Sequence, residues 1–96
     1  KLKDLMQLKA KMAEVKKRLD NMVIKAQSPQ KYFELTISGA QEVKEVRILK
    51  DLAAAPAQEV ERDLKDLFNK ALRDSQAMAA QTMGDLTGLG GPGVSA

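Results

Sequence analysis

Four serines, thirteen carboxylates and sixteen basic side chains are the groups through which this 96-residue chain could act on another molecule. Cysteine and histidine are both absent, which removes thiol nucleophiles, thiolate metal sites and the usual proton shuttle near neutral pH. None of the serines has a nucleophile-elbow context. Ser28 reads as a turn residue, Ser38 as a strand edge, Ser75 as helix surface and Ser95 as tail. The carboxylates Glu59, Asp63 and Asp66 are spaced for helix solubility and for pairing with Arg62, Lys65 and Lys70 as well as for any metal. The expectation is a protein that is no enzyme, with no catalytic residue, metal, cofactor or small-molecule substrate.

The basic residues are unevenly placed. Nine of them and only three acidic residues fall within residues 1–31, a local surplus of six positive charges in a chain whose net charge is +3. A chain polarised this way can offer a positive face to a polyanion without an extreme overall charge.

The elements that position those charges follow from hydrophobic spacing. Leu5, Leu8, Met12, Val15, Leu19 and Met22 alternate steps of three and four, with no Gly or Pro before them, which predicts a helix over residues 1–22. The spacing suits either an amphipathic helix lying on its own core or an intermolecular seam. Lys9, Lys11, Lys16 and Arg18 flank that seam, so a parallel self-pair would oppose like charges; the helix wants an acidic or neutral neighbour, or an antiparallel copy. Phe33, Leu35 and Ile37 then alternate with polar residues, Gly39 to Gln41 supply a turn, and Val46 and Ile48 resume the alternation, which makes a hairpin. Val43 is out of phase and predicts a bulge or a late strand start. Met22 to Gln27 is a third strand or a continuation of the helix, before the turn at Ser28 and Pro29.

Pro56 suits the first turn of a second long helix, whose stripe runs through Val60, Leu64, Leu67, Phe68, Ala71, Leu72, Met78, Ala79 and Met83 to a stop at Gly84. The fold class expected is α+β: a long N-terminal helix, a small three-stranded antiparallel sheet and a long C-terminal helix, in one domain over residues 1–87 with a flexible Gly/Pro-rich tail at 88–96. So small a sheet cannot cover two long apolar stripes, which points to a homodimer, although two helices packed antiparallel within one subunit would cover part of the deficit. The seam residues would be Leu5, Leu8, Met12, Val15, Leu19, Met22, Leu64, Leu67, Phe68 and Ala71. No stretch is apolar enough to span a membrane and no secretory signal is visible, so the expected location is cytoplasmic.

The run from Phe33 to Ile48, the segment Asp63-Leu-Lys-Asp-Leu-Phe-Asn-Lys-Ala-Leu72 and the Gly/Pro-rich end, in this order behind a Met-rich helix, resemble the YbaB/EbfC family of nucleoid-associated proteins. The resemblance implies a tweezer-like homodimer that binds double-stranded DNA with little sequence preference in the nucleoid. One departure stands out: family members often have a glycine-rich turn where this chain has Gln27-Ser-Pro-Gln-Lys-Tyr32. The residues expected to meet phosphates are Lys3, Lys9, Lys11, Lys16, Lys17, Arg18 and Lys25, with Arg73 if the second helix brings it alongside. Tyr32, Phe33 and Phe68 are the sole aromatics, and with both phenylalanines needed inside there is no stacking platform for single strands. The competing expectation is a protein-interaction adaptor that docks a partner helix along the apolar seam.

Overall fold

A computed structural model describes residues 1–87. The elements are α1 (Leu2–Asn21), β1 (Ile24–Gln27), β2 (Phe33–Ile37), β3 (Val43–Ile48) and α2 (Ala57–Thr87). The expected tail from Gly88 onward lies outside the described residues. β2 is the central strand of an antiparallel sheet in the order β1-β2-β3. The helix therefore stops at Asn21 and β1 is a strand in its own right, which resolves the choice left open for Met22 to Gln27. Thr36 pairs with Glu45 but Ile37 pairs with Val43, so Lys44 is an extra residue, and the out-of-phase Val43 is explained by that irregularity.

Alternation divides the sheet into two faces. Ile24, Ala26, Phe33, Leu35, Ile37, Val43, Val46 and Ile48 share the inner one by register. Lys25, Gln27, Glu34, Thr36, Glu45 and Arg47 share the outer one. The first part of α2 lies on the inner face, burying Leu67 and Ala71 against Ala26, Phe33, Leu35 and Ile37, with Val60 and Leu64 half-buried at the margin. It contacts β1 and β2 but not β3. β3 is consequently exposed along its whole length, and Ile48 is 63 % exposed although it sits on the apolar face. Phe68, expected inside, is 41 % exposed for the same reason: it lies on the flank of α2 that no strand covers. Phe33 is buried as expected.

Two polar residues of α2 for which the sequence predicts a solvent-facing position are buried. Ser75 is fully buried, and its hydroxyl donates to the Ser38 carbonyl at 2.8 Å. Asp63 is 2 % exposed, accepts the Gln30 N–H at 2.7 Å and the Tyr32 N–H at 3.4 Å, and pairs with neither Arg62 nor Lys65. Both contacts link α2 to strand-end backbone. A third difference concerns the helix end, since α2 runs through Gly84 to Thr87. Gly84 is buried, and one glycine costs a helix only about 1 kcal/mol, which packing offsets.

Residues 28–32, where no glycine is present, still form a tight turn. The Ser28 N–H donates to Phe33 O and the Lys31 N–H to Ser28 O, both at 2.9 Å, while the Ser28 hydroxyl accepts the Phe33 N–H at 3.0 Å. Lys31 takes φ = 63°, the left-handed region a glycine would occupy at lower cost. The carboxylate of Asp63, gripping Gln30 and Tyr32 from below, holds that strained backbone in place.

α1 contacts α2 and none of the strands. Its last turn is pinned at Gly39, whose N–H donates to Leu19 O at 2.9 Å. A Cβ at Gly39 would come within 2.8 Å of Met22 Sδ and 3.3 Å of Leu19 O, so a side chain here would displace the Met22 thioether and crowd the last turn of α1. Met22 also meets Thr82, with 3.6 Å between Oγ1 and Sδ. Burial on α1 begins only at Val15; residues 1–14 are exposed throughout. The molecule is accordingly elongated, 62 × 30 × 16 Å, with a body of sheet and proximal α2 and an arm built on α1.

Candidate nucleic-acid interface

Lysine and arginine on the arm are placed by helical rotation. Lys9 and Lys16 are seven residues apart, as are Lys11 and Arg18, so each pair lies on one side of α1 at about 10.5 Å separation. The first pair borders Leu5 and Met12; the second is on the opposite flank of the apolar stripe; Lys3 and Lys17 face away from it. All six are exposed. Arg18 is joined to Glu14 at 3.5 Å in an exposed pair, which holds it only loosely, and the five lysines make no ion pair among the described residues.

The other two expected contacts lie elsewhere. Lys25 is on the outer face of the sheet, opposite Thr36, which in turn faces Glu45, with Gln27, Glu34 and Arg47 in the neighbouring row. That face is mixed in sign. Arg73 is exposed and lies two residues past the buried Ala71, about 200° around α2 from it, so it points away from the side of α2 that meets the sheet. The structure therefore gathers the α1 cations into one arm and leaves Lys25 and Arg73 on separate surfaces.

Seam residues divide in the same way. Val15, Leu67 and Ala71 are buried; Leu19, Met22 and Leu64 are half-buried; Leu5, Leu8, Met12 and Phe68 are exposed in the single chain. Together with Leu2 and Met6 the arm carries five large apolar residues between 58 and 74 % exposed.

At the far end of the body, the electrostatics is that of a structural clamp. Burial pushes the Asp63 carboxyl up, but hydrogen bonds from Ser28 and from the Gln30 and Tyr32 N–H groups, with the Lys50 charge nearby, outweigh it and leave its pKa below the ordinary value. The Tyr32 hydroxyl donates to Glu59 at 3.1 Å, and desolvation together with that carboxylate pushes its pKa up. Lys50 lies 5.1 Å from the Tyr32 ring centre and donates to the Gln30 carbonyl at 2.7 Å. Glu59 and Asp63 thus serve the turn at residues 28–32, and Asp66 is exposed. Among the described residues no group of three or more carboxylates is placed to hold a metal. The role of Asp63 had one sequence signal: it interrupts the apolar stripe three residues after Val60 and four before Leu67.

A three-stranded antiparallel sheet backed by one helix and extended by a basic helical arm defines an α+β protein. The chain belongs to the YbaB/EbfC DNA-binding family, whose model matches residues 1–90. That family is one of nucleoid-associated DNA-binding proteins and not of enzymes. No curated protein matches the chain.

Proposed function

We propose that this protein binds double-stranded DNA without enzymatic activity and with low sequence specificity, as a nucleoid-associated homodimer in the cytoplasm whose arms present Lys and Arg to phosphates. The observation that carries the reading is the set of five exposed lysines on α1 that have no acidic partner among the described residues, within a family defined by DNA binding. Such side chains release counterions from a duplex and need no base contact. No helix among the described residues is long and apolar enough to cross a membrane, and the family supports a nucleoid location.

Dimerisation is supported by the uncovered side of the body. Val43, Val46, Ile48 and Leu49 of β3 and its exit, with Phe68 and Leu72 of α2, are 39–63 % exposed. β3 also has an unpaired edge. A two-fold copy would cover this surface and set two arms side by side.

A gel-shift titration with random duplex DNA at two salt concentrations tests the reading, comparing the wild type with a variant in which Lys9, Lys11, Lys16 and Arg18 are all changed to Gln. The variant is expected to bind more weakly and with a salt slope shallower by about three to four, one unit per lost phosphate contact. Equal affinity and slope would move the DNA site off the arm.

A further inference from the structure

The turn between β2 and β3 does not itself need the glycine it contains. The Gln41 N–H donates to Ser38 O at 3.2 Å and closes a four-residue turn. Its central residues, Gly39 and Ala40, are not left-handed; that conformation falls on Gln41, at φ = 62°. This is the type I pattern, in which the position of Gly39 accepts most residues and favours proline. What lies against Gly39 is α1: the Gly39 N–H donates to Leu19 O at 2.9 Å, and its bare Cα leaves room for the Leu19 carbonyl and the Met22 thioether.

The turn is in turn fixed to the body. Ser75 of α2 donates to the Ser38 carbonyl at 2.8 Å, and the Ser38 hydroxyl accepts the Ala40 and Glu42 N–H groups at 3.1 and 3.3 Å. α1 touches α2 and no strand, and its one buried residue is Val15. The Leu19 carbonyl and Val15, about 6 Å apart along the axis, therefore act as two bearings for the arm. Beyond them the helix is a lever, on which Lys9 and Lys3 stand about 9 and 18 Å past Val15. A displacement of about 1.5 Å at Leu19 tilts α1 by about 15° and moves Lys3 by about 4.5 Å, more than the roughly 3.4 Å between charges along one strand of a duplex.

We propose that Gly39, far from any arm cation, is a positioning residue for duplex binding, which sets the direction of the arm by letting the Ser38–Gln41 turn grip the Leu19 carbonyl. The proposal rests on the arm being the duplex-binding element and adds what aims it.

Gly39→Pro is the direct test, because it suits the turn while replacing the N–H with a ring carbon that pushes the Leu19 carbonyl off by about 1.5 Å, to van der Waals distance. Gly39→Ala keeps the N–H and crowds α1 less, and it carries the test should the first variant not fold. The chain has no cysteine, so Gln7→Cys on the arm and Asn69→Cys on α2, both exposed, take spin labels at those sites alone; dilution with unlabelled chain confines the measured distance to one subunit. Gly39→Pro is expected to shift or broaden that distance by about 3 Å and Gly39→Ala by less, with helical circular dichroism retained. In duplex titrations at two salt concentrations, Gly39→Pro is expected to bind at least about threefold more weakly, with a salt slope shallower by about one, because every cation is present but fewer reach phosphates together. A loss of stability alone moves neither the distance nor the slope. An unmoved distance in folded variants overturns the proposal, and so does a moved distance with wild-type affinity and slope; the DNA reading survives both. Failure of that reading looks different, since the wild type itself then ignores duplex at both salts, and the positioning role falls with it.

Discussion

The body and the arm use amphipathic helices of similar quality and spend them differently. In the body, α2 lays Leu67 and Ala71 onto Leu35 and Ile37, and each polar group drawn in with them finds a partner: Asp63 on the Gln30 and Tyr32 N–H groups, Ser75 on the Ser38 carbonyl. In the arm, α1 keeps one buried residue, Val15, with Leu19 half-buried, and leaves Leu5, Leu8 and Met12 in solvent beside a row of lysines. The body's contacts are internal and add to folding stability. The exposed residues of the arm gain little from folding.

That contrast can be broken by substitution. The largest effect is expected at Leu35, which is fully buried: Leu35→Ala should cost about 3 kcal/mol, against under about 0.5 kcal/mol for the exposed arm change Met12→Gln. Denaturant unfolding at one fixed protein concentration measures both, and equal losses would erase the distinction.

Asp63→Asn comes next, at about 2 kcal/mol, because the amide offers one acceptor oxygen where the carboxylate offers two to the Gln30 and Tyr32 N–H groups. The folded Asp63 carboxyl titrates below its ordinary value of 3.8, so its contribution is complete above that pH and is lost as pH falls through the lower folded pKa. Wild type and variant should therefore differ by a constant amount near neutrality and converge in strong acid. A pH series of unfolding midpoints that stayed parallel to the lowest pH would remove the clamp from the account.

The smallest expected change is a gain. Lys31→Gly relieves a left-handed backbone at φ = 63°, worth about 1 kcal/mol, and loses part of it to the freer unfolded chain, for a net stabilisation of about 0.5 kcal/mol. The lost exposed contact from Lys31 Nζ to Gln27 matters little. A thermal midpoint that fell on this substitution would show that the turn depends on the lysine itself.

Much of the body was readable from spacing. Period-two alternation located β2 and the latter part of β3, and the misplaced Val43 announced the extra residue at Lys44. The end of α2 was misread because Gly84 looks like a stop until its burial is known. Ser75 and Asp63 were misread because a polar residue on a helix is assigned to solvent by default, and the groups that pay for burying them lie 37 and 33 residues away in sequence. On the arm, the cations were legible one by one. Their separation from Lys25 and Arg73 required the relative placement of three elements.

Local periodicity and charge order belong to the sequence alone: two amphipathic helices, an alternating hairpin and a surplus of positive charge near the amino terminus follow from side-chain spacing over a few residues. Which apolar faces are covered was decided only in three dimensions. Spacing reports that a face is oily, whereas its burial depends on whether distant strands and helices converge on it. In this protein they converge on the start of α2 and leave β3 and the arm open.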